Sequence, residues 1–228
     1  PSLASEWNTL QPYDPPAVQS ISWKIEPPQY LKQDRFAHQG YGYVRAPEGS
    51  TISLSLAVED QPAHVRASLN TKENNQTLVK GDDGLFGFSF PLQSEWSGQI
   101  VLVDLDEPHR PQVVSDTITF SPIPDDPPMV EITEPAKDLQ LPADAQFLVE
   151  VYASDDHGVA DVRIHISHAG EKMEESIFVD PVEPEKAQTY IFDLNEHPLA
   201  IGDVITYMAL AMDNKEPEGQ LARSEIYF

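Results

Sequence analysis

The sequence contains no cysteine among its 228 residues. This absence excludes disulfide bridges, thiolate metal centres and a cysteine nucleophile. Stability must therefore come from hydrophobic cores. Hydrophobic residues make up 40% of the chain, including eight Tyr, nine Phe and three Trp. That supply is too large for a wholly disordered chain, and it predicts folded domains.

Positive charge is also scarce, with 14 Lys and Arg against 38 Asp and Glu and a net charge of −24. Binding to nucleic acids depends on neutralising phosphates, and anionic membrane surfaces attract basic segments. The negative charge therefore argues against nucleic acids and anionic membranes as partners, and it favours the binding of cations. The excess is concentrated in residues 129–228, where 6 basic and 21 acidic residues give −15, against −9 for residues 1–128.

The sequence has neither a long hydrophobic run nor a clear helical repeat. Its longest largely apolar run, residues 204–212, is too short to cross a bilayer, so any membrane anchor is expected outside this chain. Proline is frequent, with 21 residues against 11 Gly. Because proline is expelled from helix interiors and central strands, this composition predicts short strands joined by proline-marked loops.

Strict alternation identifies the strands. In residues 51–58, Ile52, Leu54, Leu56 and Val58 point one way and polar residues mostly point the other. A period of two with β-branched residues is typical of a half-buried strand. Further strands are predicted at 65–69, 77–79, 85–90, 99–105 and 116–120.

Residues 122–128, Pro-Ile-Pro-Asp-Asp-Pro-Pro, interrupt this pattern as a short, stiff boundary. The alternation then restarts, with Arg163 and His165 predicted to point outward. The second set of predicted strands is 147–153, 162–166, 176–179, 189–193, 204–212 and 225–228. The predicted organisation is an extended lead-in at 1–20, a first domain at 21–124, a linker at 125–128 and a second domain at 129–228.

About seven strands in about 100 residues, repeated once, is the count of an immunoglobulin-like sandwich. The predicted fold class is therefore all-β, with two tandem Ig-like or cadherin-like β-sandwich domains joined by a Pro-rich linker. The alternation also predicts which side chains are buried. They are Ile52, Leu54, Leu56, Val149, Val151, Val162, Ile164 and Tyr207.

Two segments of the second half resemble a known type of repeat. Ala153-x-Asp155-Asp156-x-Gly158-Val159 is similar to the Ala-x-Asp-Asp-x-Gly-Val segment of bacterial Ig-like repeats, and residues 207–214 are similar to their penultimate strand. The resemblance covers most of residues 127–228 and, more weakly, 25–121. Such repeats occur in membrane-anchored bacterial proteins of unknown function, which implies a periplasmic or cell-surface location.

A partial resemblance to cadherins implies calcium as a possible ligand. Ala153-x-Asp155 and Ala211-x-Asp213 are similar to the Ala-x-Asp pairs with which cadherin repeats hold calcium. The first half has only Ala57-x-Glu59 at the equivalent position, and the cadherin linker does not match. The resemblance therefore implies calcium ligands in the second half without the complete cadherin site.

An acidic cluster is the candidate site. Strands two and six of a seven-stranded sandwich run in the same direction, so the residues that follow them should meet at one pole beside the linker. Convergent oxygens suit calcium, which takes six to eight of them; alternatively, Asp and Asn occupy these positions because they cap turns. Both interpretations remain open, and no cofactor is required. The predicted ligands are Asp125, Asp126, Asp155, Asp156, Asp213 and Asn214.

Two histidines of the second half are further candidates for metal ligands. His165 and His168 are three positions apart on a strand, which puts them on opposite faces and prevents joint chelation.

The sequence lacks the motifs of catalysis, including Gly-x-Ser-x-Gly and His-Glu-x-x-His. We expect a non-enzymatic extracytoplasmic spacer or protein-interaction module of a larger membrane-anchored protein, with an unidentified protein partner. One alternative is a carbohydrate-binding module or accessory domain of an extracellular enzyme, with Trp7, Trp23 and Trp96 as a stacking face. Core packing is favoured for Trp23 and Trp96. Another alternative is a calcium-rigidified, adhesin-like repeat.

Overall fold

The computed structural model describes residues 13–59, 64–71, 75–142, 145–168, 171–178, 181–196 and 199–228. These residues form two compact units. The first comprises 13–28 and Gln33–Ile123, and the second comprises Gln29–Lys32 and Pro124–Phe228. Helical structure in the described residues is confined to 3₁₀ turns at Gln29–Leu31 and Leu194–Glu196. Neither turn has the length or the apolarity of a membrane-spanning helix.

The first unit is a sandwich of two five-stranded sheets with the strand orders β2-β1-β4-β8-β7 and β3-β10-β9-β5-β6. The first strand begins inside the predicted lead-in of residues 1–20, of which residues 1–12 lie outside the described part of the chain. Its strands are β1 (Val18–Glu26), β2 (Phe36–Gln39), β3 (Gly42–Pro47), β4 (Thr51–Val58), β5 (Val65–Thr71), β6 (Asn75–Thr77), β7 (Val79–Lys80), β8 (Phe86–Pro91), β9 (Trp96–Asp104) and β10 (Val113–Ile123).

Strand β4 shows why the sequence folds this way. It has the predicted bounds and pairs antiparallel with β1 on one side and β8 on the other. Its alternate side chains Ile52, Leu54 and Leu56 are buried in the core. The last strand, β10, pairs antiparallel with β9 and parallel with β3. Strands β1, β2 and β3 were not predicted from the sequence, although β1 alternates the buried Ile21, Trp23 and Ile25 with polar residues.

The tryptophans of the first unit belong to its core. Trp23 is fully buried, its ring centroid lies 5.1 Å from that of Phe120, and its indole N–H donates to the carbonyl of Gly40 at 3.1 Å. Trp96 is partly buried and stacks on Phe90 with a centroid separation of 4.6 Å. The expectation that Trp23 and Trp96 serve core packing is confirmed. Trp7 lies outside the described residues.

The second unit is also an Ig-like sandwich, built around one long strand. Strand β12 pairs with β11 and β14 through its first half and with β13 and β15 through its second half. The two predicted strands at 147–153 and 162–166 are thus halves of a single strand that passes through both layers. The strands are β11 (Met129–Glu134), β12 (Gln146–His168), β13 (Glu171–Phe178), β14 (Glu183–Asp193), β15 (Ile205–Asp213) and β16 (Leu221–Arg223).

The end of the second unit corrects the sequence analysis. The predicted strand at 225–228 is wrong, because the strand that pairs with β15 is β16 at Leu221–Arg223. Residues 225–228 contribute a single bridge between Tyr207 and Tyr227. The apolar pattern of Ile226 and Phe228 was misleading, since both side chains are exposed.

The core of the second unit lies between the two halves of β12 and the strands that pair with them. All eight side chains predicted to be buried, in both units, are buried. His165 was predicted to point outward into solvent, but only 9% of it is exposed. The prediction was wrong because His165 lies on a central stretch of strand, paired with Glu174 of β13 on one side and Met208 of β15 on the other.

Ile164→Ala should destabilise the second unit by about 2–5 kcal/mol, the cost of a large-to-small change in a packed core. Ile164 is fully buried, whereas Ile191 in the same unit is 62% exposed, so Ile191→Ala is a matched control with an expected effect below about 0.5 kcal/mol. Urea denaturation followed by far-ultraviolet circular dichroism measures both. Equal effects of the two substitutions would mean that the register of β12 is wrong.

Candidate cation site

The predicted acidic cluster forms where β12 changes its pairing partners. The register of β12 against β14 shifts between Ser154 and Val159, and Val159 then faces Asp213, the last residue of β15. Gly158 has a φ of +139°, a conformation that L residues rarely adopt. The bend therefore depends on a glycine, and it brings Asp155 and Asp156 beside the end of β15. They lie within a strand and not in a loop between two strands.

Asp155 divides its two carboxylate oxygens between different environments. Oδ2 accepts the backbone N–H groups of His157 at 2.8 Å and Gly158 at 2.6 Å, which closes the bend. Oδ1 is buried and has no hydrogen-bond partner. Turn capping, the alternative interpretation from sequence, thus accounts for one oxygen and leaves the other unexplained.

The same division is found at the end of β15. Asp213 is only 2% exposed; its Oδ1 accepts the backbone N–H groups of Lys215 at 3.2 Å and Gln220 at 2.7 Å, and its Oδ2 is buried without a partner. Asn214 donates its amide to the carbonyl of His157 at 3.3 Å, and its Oδ1 is likewise buried without a partner.

Asp125 completes this set of buried oxygens. It is 7% exposed, its Oδ2 accepts the hydroxyl of Tyr30 at 2.8 Å, and its backbone carbonyl accepts the side-chain amide of Gln220 at 2.8 Å. Oδ1 of Asp125 has no hydrogen-bond partner. The nearest basic group is Nε2 of His157 at 3.9 Å, which is too long for a hydrogen bond.

We call Oδ1 of Asp125, Oδ1 of Asp155, Oδ2 of Asp213 and Oδ1 of Asn214 the four buried oxygens. A buried polar group without a partner costs about 1–3 kcal/mol, and a charged one costs more. Three of the four belong to carboxylates. Their burial therefore opposes folding unless a ligand or solvent contacts them.

Asp156 and His157 lie at the edge of this cluster. Oδ2 of Asp156 is 3.3 Å from Nε2 of His157, and the side chain of Asp156 is exposed. One ligand atom each from Asp125, Asp156 and His157 lies within 4.8 Å of the others, a spacing compatible with a metal ion. Asp126 is exposed and shares with Asp155 and Asp156 a shallow cavity of about 280 Å³.

Of the six predicted ligands, Asp125, Asp155, Asp213 and Asn214 supply buried oxygens, whereas Asp126 and Asp156 are exposed. Sequence reasoning missed Tyr30 and Gln220, which hold Asp125 in place. Tyr30 is 95 residues from Asp125 along the chain, and no local pattern identifies such a contact. His157, two residues after Asp155, was not among the predicted ligands.

Comparison with known proteins shows the family of the chain and not its activity. Residues 6–227 match a family described as a domain of unknown function (DUF4175). No curated protein matches the chain.

Solved structures with some similarity consist of tandem modules. Fibronectin(III)-like modules of CbhA from Clostridium thermocellum are 13% identical, covering 83% of this chain and 89% of that one, with a TM-score of 0.31. DIP-gamma IG1+IG2 is 12% identical, covering 82% of this chain and 93% of that one, with a TM-score of 0.29. A chimeric titin Z1Z2-Z1Z2 tandem is 9% identical, covering 94% of this chain and 98% of that one, with a TM-score of 0.28. Such low scores carry no argument, and the Ig-like fold rests on the strand pairings described above.

Gly158→Ala should destabilise the second unit, because a Cβ there would lie 2.5 Å from Cγ1 of Val182 at a φ of +139°. We expect a loss of about 1–3 kcal/mol in urea denaturation, the range for a strained backbone position. Gly202→Ala is the control, since its φ is +96° and a Cβ would contact nothing within 4 Å. If Gly202→Ala costs as much as Gly158→Ala, close packing at the bend contributes nothing.

Proposed function

The chain belongs to the DUF4175 family, and we propose that it is a non-catalytic module of a larger, membrane-anchored extracytoplasmic bacterial protein. In this proposal the two Ig-like units act as a spacer and the second unit binds a protein partner. The spacer role is supported by the two cores, each of which is enclosed within its own unit.

The observation that carries the binding role is an exposed pair of large apolar residues. Leu148 on β12 faces Ile191 on β14, and they are 45% and 62% exposed. Single exposed apolar residues are common on protein surfaces, but a cross-strand pair forms a small continuous patch. Among the described strands, β14 pairs with β12 alone. Addition of a strand to the edge of a sheet is a common mode of peptide recognition, and we assign the partner to the other edge of β14.

Carbohydrate recognition is less well supported. Stacking on a sugar requires an accessible aromatic face, and Trp23 is fully buried while Trp96 is stacked on Phe90. These two tryptophans are thus committed to the core of the first unit. A protein partner at β14 accounts better for the exposed side chains of the second unit.

We expect Ile191→Cys, introduced into the intact parent protein, to form a discrete cross-linked product with a second protein in living cells. The cross-linker would be membrane-impermeant, with a maleimide for the cysteine and an amine-reactive group for the partner. These 228 residues contain no native cysteine, so the introduced thiol would be the only one within them, and the parent protein without the substitution shows the background. Leu221→Cys is the control, because Leu221 is 52% exposed on a different strand.

Labelling of the two cysteine variants tests the location of the protein, and cross-linking tests the binding role of β14. A membrane-impermeant biotin maleimide should label both variants in intact cells, and labelling only after lysis would contradict the extracytoplasmic location. If both variants are labelled but Ile191→Cys forms no product, or Leu221→Cys forms the same one, the binding role of β14 is wrong.

A further inference from the structure

We propose that the second unit holds a calcium ion with one side-chain oxygen each from Asp125, Asp155, Asp213 and Asn214. This site is independent of the proposed protein-binding surface on β14. An acidic cluster alone would not establish it. It is supported by the four buried oxygens, because they lack hydrogen-bond partners while the other polar atom of each side chain is occupied.

Two residues connect the side chains that carry the four buried oxygens. Gln220 donates its backbone N–H to Oδ1 of Asp213 and its side-chain amide to the carbonyl of Asp125. His157 donates its backbone N–H to Oδ2 of Asp155 and accepts the amide of Asn214 at its carbonyl. One polar atom of each side chain is thus held by a hydrogen bond, with the backbone for Asp155, Asp213 and Asn214 and with the Tyr30 hydroxyl for Asp125, and the second atom is left for a ligand.

Burial makes these oxygens unusual among the 38 acidic residues of the chain. Asp213 and Asp125 are 2% and 7% exposed, so their unpartnered oxygens are withdrawn from bulk water. Ionised carboxylates are not retained at such burial unless a counter-charge accompanies them. A divalent cation supplies that charge to three carboxylates at once.

Calcium fits the donor set better than other common ions. All four buried oxygens are hard donors, and calcium accepts six to eight oxygens in flexible geometry. Magnesium demands a near-ideal octahedron and keeps several waters, whereas zinc prefers nitrogen and sulfur in a tetrahedron. The exposed Asp156 is placed to complete the shell from the solvent side, since one of its oxygens lies within 4.8 Å of a ligand atom of Asp125.

His157 provides a rival explanation for the same charges. Its Nε2 lies 3.3 Å from Oδ2 of Asp156 and 3.9 Å from Oδ1 of Asp125. A protonated imidazole there would neutralise the two carboxylates, and a neutral one would ligate a transition metal together with them. This explanation leaves out the partnerless oxygens of Asp155, Asp213 and Asn214, which make no hydrogen bond to the imidazole among the described residues.

Thermal melts followed by circular dichroism test the proposal. With about 1 mM calcium against chelator, the wild-type chain should melt at least about 5 °C higher, because a ligand that binds only the folded state stabilises it. Asp155→Asn and Asp213→Asn keep an oxygen for the turn and replace the partnerless one with an amide nitrogen. Each should weaken calcium binding at least about tenfold in calorimetric titration, since ligand charge sets affinity.

Matched controls separate a specific site from general screening of negative charge. Asp104→Asn in the first unit changes the same kind of turn, in which Oδ1 accepts the backbone N–H groups of Asp106 at 2.9 Å and Glu107 at 3.3 Å. Its calcium response should equal that of the wild type. His157→Gln should also keep the response, because the proposed ligands are oxygens of other residues.

Several results would overturn the proposal. They are an absent calcium shift in the wild type, an equal shift with the same concentration of magnesium, a response to zinc alone, and a calcium shift that survives Asp155→Asn combined with Asp213→Asn. If either single variant fails to fold, the calorimetric titration of the other and of the wild type still decides the outcome.

Discussion

The bend of β12 between Ser154 and Val159 is the constraint on which the second unit depends. The first half of the strand is hydrogen-bonded to β11 and β14, and the second half to β13 and β15. One strand thereby joins both layers of the sandwich, and alternation places its apolar side chains in a common core. The chain can change layers only at a local break in pairing, and Gly158 permits the backbone conformation that this break requires.

The same bend explains why the acidic residues cluster. A break in the ladder leaves backbone N–H groups without strand partners, and the carboxylate of Asp155 satisfies two of them. The end of β15 uses Asp213 in the same way. An Asp is therefore favoured at both positions because its carboxylate accepts these backbone N–H groups. The antiparallel pairing of Val159 with Asp213 places the bend beside the end of β15. Turn capping by these side chains therefore does not exclude the proposed ion binding, since each cap uses one oxygen of its carboxylate.

Much of the fold could be predicted from the sequence, because β4, β15 and both halves of β12 carry the alternation that a half-buried strand requires. Strand β1 was missed although Ile21, Trp23 and Ile25 carry the same alternation, and β3 was missed because it is only six residues long with two buried side chains. His165 shows the limit of a pattern that considers one strand at a time, since its burial is produced by neighbouring strands. The acidic cluster was predicted from chain direction, but the contacts of Tyr30 and Gln220 with Asp125 depend on distant residues that no local pattern connects.

The central claim is that the four buried oxygens surround a cation. A crystal structure of the chain grown with calcium tests it most directly. The account predicts density for one ion at about 2.3–2.6 Å from each of these oxygens, the range of calcium–oxygen bonds in proteins. Ordered waters bonded to the same oxygens, or the imidazole of His157 turned onto Asp125 with no ion present, would contradict it.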